Sequence, residues 1–311
     1  MLRRMLLAAS ASDQVRRMAV ATPLTRDVVA RYVAGEDAAA AVAATRRLQA
    51  DGLAVTLDYL GEDTTSADHA AAVAAEYVAL LGRLEAAGLA RDGAAEVSVK
   101  PTAVGLHLPE HGAKTAAANI ARICAAARAA GTTVTVDMED HTHVDATLRL
   151  VAEMRGDFPG LGCVIQSQLR RSAADCRALA YPGSRVRLCK GAYDAPEEVA
   201  FTTRAQVDRS YARCLRVLMA GPGYPMLATH DPRLIRIIAA QAVLTGRGSG
   251  GLEYQMLYGI RPAEQRRLAG TGAKVRVYVP YGSDWYGYLV RRLAERPANL
   301  AFFLRSLATR R

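Results

Sequence analysis

Two adjacent arginines, Arg291 and Arg292, stand near the end of the segment VRVYVPYGSDWYGYLVRRLAERPAN, residues 275–299. The segment reads as a strand, a tight glycine turn and a helix. At about 100° per residue, Tyr288, Arg291, Arg292 and Glu295 share one arc of that helix, and Trp285, Leu289 and Leu293 share the next. Two guanidiniums on a half-aromatic face, with a carboxylate one turn on, make a clamp for a small carboxylate. The competing reading is a solvated basic face. What decides between them is what the rest of the chain brings to this helix.

From residue 52 onward, short β-branched runs alternate with alanine-rich amphipathic stretches. Eight strands are expected, at 54–60, 96–101, 133–139, 163–168, 185–191, 225–230, 252–257 and 275–280. Helical stripes fill the gaps: Val73, Tyr77, Leu80, Leu81 and Leu84; Ile120, Ile123 and Cys124; Leu148, Val151 and Met154. Further along come Tyr211, Leu215, Leu218 and Met219, then Leu234, Ile237 and Ile238. Alternating units with apolar strands imply a parallel sheet covered by helices. Eight of them favour an α/β fold of the (β/α)8 TIM-barrel type over a doubly wound sheet. Residues 1–50 are expected as an N-terminal helical segment and 51–311 as the barrel.

In such a barrel, chemistry sits where strands end. The expected ends carry Glu62, Lys100, the trio Asp137, Glu139 and Asp140, Gln166, Arg187 with Lys190-Gly191-Ala192-Tyr193, Thr229-His230-Asp231, Gln255, and Tyr278 with Tyr281. So many polar side chains at one rim favour an active site. Lys100 has two readings: a Schiff-base nucleophile with a lowered pKa, or a charged group paired with Asp137. The neighbouring acids would keep it protonated, which favours the second. The run Asp137, Glu139, Asp140, His141, His143 could be tested for metal, but the HxH reads as the opening of the next helix, and no metal is expected. His107 and His111 flank Pro109 and cannot share a regular helical face. The glycine-rich GRGSGG (246–251) precedes strand seven, on the stability face, and reads as a loop. KGAY (190–193) follows strand five, where Lys190 and the Gly191 backbone could meet a phosphate or a ring edge.

The chain has 311 residues, 51% of them hydrophobic, and a net charge of +10. No apolar run reaches the roughly 18 residues of a membrane span. The opening MLRRMLLAASASDQ imitates a leader, but its apolar part is short and runs into Asp13, Arg16 and Arg17, so an intracellular helix is expected. Five cysteines without a CxxC pair argue for reduced thiols. Arginine pairs are spread along the chain with no single basic block, which argues against nucleic acid. Lysine is scarce, which sets Lys100 and Lys190 apart.

Taken together, VKPTAVG, VDMED, VIQ, RLCKGAY, ATHD, YQMLYG and RVYVPYG…YLVRRLAE, in that order, resemble the flavin-dependent proline dehydrogenases. The resemblance runs from residue 57 to the final helix. It implies a distorted (β/α)8 barrel whose last helix lies over the cofactor, and FAD-dependent oxidation of L-proline to Δ1-pyrroline-5-carboxylate, the first step of proline catabolism. By position it implies that Arg291, Arg292 and Lys100 grip the proline carboxylate, with Asp137 beside Lys100. Tyr278, Tyr288 and Leu257 would wall the ring. Asp137 and Arg187 are the expected catalytic residues. FAD would be held by Met138, Gln166, Arg187, Lys190, Gly191, Ala192, Thr229, His230 and Gln255, with Glu295 orienting the arginines or touching the cofactor. The resemblance also implies electron transfer to a quinone or other acceptor from a cytoplasmic protein. The basic N-terminal helix (Arg3, Arg4, Arg16, Arg17) could assist a peripheral contact at the inner face of the cell membrane. Gln168 stands where many relatives carry an aromatic residue, and Asp194 where fused relatives carry tryptophan.

A Schiff-base aldolase using Lys100 or Lys190, and a basic barrel that binds nucleic acid or a partner, are the competing classes. Mixed charges at the strand ends speak against the binder, which would show a basic stripe with exposed aromatics. The sequence leaves the oligomeric state open.

Overall fold

Residues 29–62 and 64–294 are described by a computed structural model, with residues 291, 293 and 294 described by their backbone alone. The leader-like opening, the Arg3, Arg4, Arg16 and Arg17 helix, and Glu295 therefore lie outside the described residues.

Eight strands follow one another in the chain: β1 Ala54–Tyr59, β2 Ala95–Val99, β3 Val134–Val136, β4 Gly162–Gln166, β5 Arg185–Cys189, β6 Tyr224–Ala228, β7 Glu253–Leu257 and β8 Val275–Tyr281. All are parallel, each pairs with the next, and β8 returns to β1 with Ala54 opposite Arg276 and Tyr59 opposite Tyr281, which closes the barrel. The (β/α)8 expectation is met. The third strand is shorter than 133–139 because Asp137 to Glu139 leave the ladder at the rim, although Asp137 N–H still donates to Val99 O at 2.9 Å.

The helices are α1 Ala38–Ala50, α2 Ala67–Ala86, α3 Gly112–Ala129, α4 Val144–Met154, α5 Ser172–Leu179, α6 Arg204–Ala220, α7 Pro232–Leu244, α8 Pro262–Gly270 and α9 Trp285–Ala294. Local chemistry sets several of their starts. Asp37 accepts from Ala40 N–H to cap α1, and Thr203 and Gln206 form a reciprocal capping box at α6. Asp231 caps α7, whose first residue is Pro232. The small buried face of α1 (Ala38, Ala41, Ala44) packs on β1 and β8. His141–His143 forms a single 3-10 turn leading directly into α4, as the HxH reading expects. Of the apolar stripes one member departs: Ile237 is 38% exposed, while Ile235 beside it is buried.

Strand residues alternate between two environments. Val55, Leu57, Val97, Val99, Val186, Leu188, Val275 and Val277 are buried in the main apolar core, which includes Tyr77, Leu80, Leu81, Ile120, Ile123, Tyr211 and Leu215 from the helices. Their neighbours in the chain point into the lumen, and there the side chains are polar. Glu96 on β2 reaches Arg185 on β5 at 2.6 Å, a contact possible only across the interior. Arg276 grips both oxygens of Glu253 at 2.8 and 3.1 Å and also donates to Val55 O. Burial alone would push Glu96 up, yet Arg276, Arg185 and Arg187 outweigh it and hold its carboxyl well below the usual range. Four acids in or at the rim of the lumen (Asp58, Glu96, Asp137, Glu253) face four cations (Lys100, Arg185, Arg187, Arg276). Charge in so dry a space persists only when paired in this way.

Among the described residues no helix is long and apolar enough to cross a membrane. GRGSGG is a loop before β7, anchored by Arg247, which donates to Met219 O and Gly223 O at 2.9 Å and to Gly251 O at 2.8 Å.

Candidate active site

Lys100 is the first residue after β2 and is 7% exposed. Its Nζ donates to both oxygens of Asp58 on β1 at 2.7 Å. The expected partner, Asp137, does not hold it. Residues two apart on neighbouring strands share the lumen face, and Asp58 sits one level deeper, in register with Ser98. Burial draws the Lys100 pKa down, but Asp58, then Asp137 and Glu62, outweigh it and raise the pKa above its usual value. A lysine held so firmly protonated is a poor Schiff-base nucleophile. The charged-group reading stands, with its partner corrected to Asp58.

Asp137 instead accepts from Arg187 Nη1 at 2.7 Å and from Tyr278 Oη at 2.8 Å. Arg187, 4% exposed, is fixed from three sides. Its Nε donates to Gln255 Oε1 at 2.6 Å, its Nη1 also donates to Ser98 Oγ at 2.8 Å, and its guanidinium lies 5.3 Å from the Tyr278 ring centre. Burial pushes the Tyr278 phenol well above its usual value, with Asp137 adding to the rise, so it is a hydrogen-bond donor at any ordinary pH. Gln255 hands the constraint on, since its Nε2 donates to Glu253 at 2.6 Å.

On the β4–β7 side, Gln166 Nε2 donates to the Glu139 carbonyl at 2.6 Å. Met138 is buried with Val144, Val164, Leu169 and Ala200. Lys190 Nζ meets Asp208 at 2.5 Å and Asp231 at 3.2 Å, carboxylates that it shares with Arg233. Gly191 has φ +102°, and a Cβ there would lie 2.5 Å from Gln168 Cδ. Gln168 in turn donates to Tyr193 O at 2.8 Å and so pins KGAY against the end of β4. Ala192 is exposed. Thr229 is buried and accepts from Asp231 N–H at 3.1 Å. His230 Nε2 accepts from Leu257 N–H at 2.9 Å, which places the proton of the neutral ring on Nδ1. Leu257 itself, the last residue of β7, is half-buried.

The helix α9 closes this rim. Trp285, Tyr286, Tyr288, Leu289 and Val290 are all buried, and Trp285 Nε1 donates to Glu36 at 3.3 Å. Arg292 is half-buried, with its guanidinium 5.4 Å from the Tyr288 ring centre. Burial pushes the Cys189 thiol up to about 11, against the opposing pull of Arg187 and Arg292. Cys189 ends β5, so the charge of Arg292 is felt at that end of the barrel. The backbone of Arg291 lies in α9, and its side chain falls outside the description.

Residues 41–305 match the family model described as proline dehydrogenase. The chain belongs to the proline dehydrogenase family. The curated proline dehydrogenase of Deinococcus radiodurans is 38% identical over 309 residues, spanning 95% of this chain and 98% of that protein. Proline dehydrogenase 1 of Bacillus subtilis strain 168 is 38% identical over 283 residues and 91% of each chain. Among solved structures, proline utilization A from Bdellovibrio bacteriovorus inactivated by N-propargylglycine superposes with a TM-score of 0.81 at 25% identity. The match covers 92% of this chain and 34% of that longer one.

Within this family member, sequence reasoning found the rim and missed the floor. Asp58, Glu96, Ser98, Glu253 and Arg276 were not singled out, although they hold Lys100 and Arg187 directly or at one remove. The signal was available as period-two pairs on the expected strands: Thr56 with Asp58, Glu96 with Ser98, Glu253 with Gln255, Arg276 with Tyr278. The usual expectation of an apolar barrel filling hides it. Among the described residues no group of three histidines, cysteines or acids could hold a metal ion.

Proposed function

We propose that this proline dehydrogenase binds L-proline between the barrel rim and α9 and passes a hydride from its C5 to FAD, giving Δ1-pyrroline-5-carboxylate. The observation that carries this is the position of Arg292 on α9, its charge felt at the end of β5, above a lumen whose own charges are matched. Below it four acids face four cations, and α9 adds the Arg292 guanidinium, a charge that suits one substrate carboxylate.

Arg292, Arg291 and Lys100 are assigned to the carboxylate, and Tyr278, Tyr288 and Leu257 to the walls of the ring. The amine must be neutral when hydride leaves, because its lone pair stabilises the forming iminium. Asp137 already accepts two hydrogen bonds, from Arg187 and Tyr278, so it presents little free anionic charge to trap a protonated amine. The rim also fits a flavin. Arg187 Nη2 and Ser167 Oγ are buried without a hydrogen-bond partner among the described residues, and KGAY offers backbone at a position only glycine can fill. Met138, Gln166, Arg187, Lys190, Gly191, Ala192, Thr229, His230 and Gln255 are the residues assigned to hold it. FAD, when bound, supplies the two-electron acceptor that no side chain can provide. Arg187, fixed by Gln255, Ser98 and Asp137, would offer a bound flavin a permanent cation, which favours negative charge nearby. Electrons then leave to a quinone or other acceptor.

The test is the visible spectrum of the purified protein under anaerobic conditions. A flavin band that bleaches on adding L-proline is expected. A colourless protein that takes up no FAD, or a band indifferent to proline, would sink the reading.

A further inference from the structure

Among the charged side chains below the rim, Asp58 is one that the catalytic scheme leaves without a task. It is 1% exposed, belongs to β1, and grips Lys100 with both oxygens at 2.7 Å. Two phenols also approach Asp58: Tyr77 Oη on α2 lies 3.4 Å from it but 2.8 Å from Ser98 O, so its single proton goes to the carbonyl, and Tyr278 Oη donates to Asp137 at 2.8 Å. Asp58 is thereby committed to the lysine. An ammonium has three donors. Two are directed at a carboxylate one level deeper in the lumen, which leaves the third for another acceptor.

We propose that Asp58 is a positioning residue for substrate binding: it anchors Lys100 from below so that one N–H, still charged, is presented to the carboxylate of proline. The inference rests on the assignment of Lys100 to that carboxylate. The groups facing Lys100 are Asp58 on β1, Glu62 in the loop after it, Asp137 and Glu139 beyond β3, and Tyr278 on β8, which itself bonds Asp137. Arg187 on β5 is paired with Asp137 at 2.7 Å. Asp58 is the acid in direct contact, so its removal leaves a buried ammonium without its nearest counter-charge, and such an ammonium loses its proton.

The experiment compares Asp58→Asn, Lys100→Met and the double variant as holoenzymes, with flavin content and thermal melts confirming the fold. Asp58→Asn is expected to raise the KM for proline about tenfold or more with kcat changed far less, as loss of one charge-assisted contact implies. The alkaline limb of its kcat/KM profile moves to lower pH, a change that a purely structural role would not cause. In the Lys100→Met background the same substitution adds little. A wild-type KM and an unmoved alkaline limb in Asp58→Asn would overturn the proposal, as would an equal, additive effect without Lys100. A wild-type KM in Lys100→Met would instead remove the assignment of Lys100 itself. Should Asp58→Asn not fold, Asp58→Glu keeps the charge and displaces the oxygens. It is then expected to raise KM severalfold with the alkaline limb in place, and an unchanged KM would count against Asp58.

Discussion

Arg187 Nη1 lies 2.7 Å from Asp137 Oδ1, so each side chain is engaged by the other before any substrate arrives. Arg187 is 4% exposed and cannot turn to water if the acid is removed. Asp137→Ala is therefore expected to cost about 3 kcal/mol of stability, as breaking a buried pair does, and Asp137→Asn less, because its amide oxygen still accepts. Urea melts of the two variants measure it. An alanine variant as stable as the parent would mean that Ser98 and Gln255 hold Arg187 unaided.

Glu139 gives a pH dependence whose sign can be worked out. Burial pushes its carboxyl from 4.5 to about 7, with the Thr102 N–H and hydroxyl pulling the other way. Its folded pKa is raised, so between these values the native state holds a proton that the unfolded chain has released. Its contribution is fully present below pH 4.5 and is lost as pH rises through about 7. The whole effect is about 3 kcal/mol. Melts between pH 5 and 8 should show the fall, and Glu139→Gln should flatten it; an unchanged slope in that variant would refute the assignment.

Gly191→Ala asks for a side chain at φ +102° and a Cβ 2.5 Å from Gln168 Cδ. Gln168 is tied to Tyr193 O and cannot withdraw without releasing the loop. The variant should fold, since the barrel core lies elsewhere, but should purify with much less FAD than the parent. Absorbance of the released cofactor per protein reads this out, and full occupancy would mean that the loop is not part of the seat.

Arg292→Met removes the guanidinium proposed to bind the carboxylate while leaving the apolar packing of α9 in place. KM for proline should rise at least about tenfold, the value of one charge-assisted hydrogen bond, with FAD still bound. Steady-state kinetics with parallel flavin content decides it. A parental KM would place the carboxylate elsewhere.

The rim was legible because each of its members sits at the end of an element that local pattern reveals. Lys100, Asp137, Arg187 and Gln255 all lie on or just beyond strands read from the sequence, and the structure brings them together. The pairing of Lys100 was misread because Asp137 and Asp58 are both acids near strand ends. Only register says that Asp58, opposite Ser98, comes within 2.7 Å. Lys190 illustrates the same gap: two aspartates from α6 and the start of α7 meet it, and neither is near it in the chain.

The sequence by itself determined the eight strand-and-helix units, the closure they imply, and the family, because periods of two and 3.6 residues and contiguous motifs are local properties. The ionic filling of the lumen was decided by tertiary structure alone. Glu96 and Arg185 are 89 residues apart and meet because the sheet closes on itself. Which acid neutralises which cation inside a barrel depends on register and on the direction of each side chain across a shared cavity, and no stretch of chain carries that information on its own.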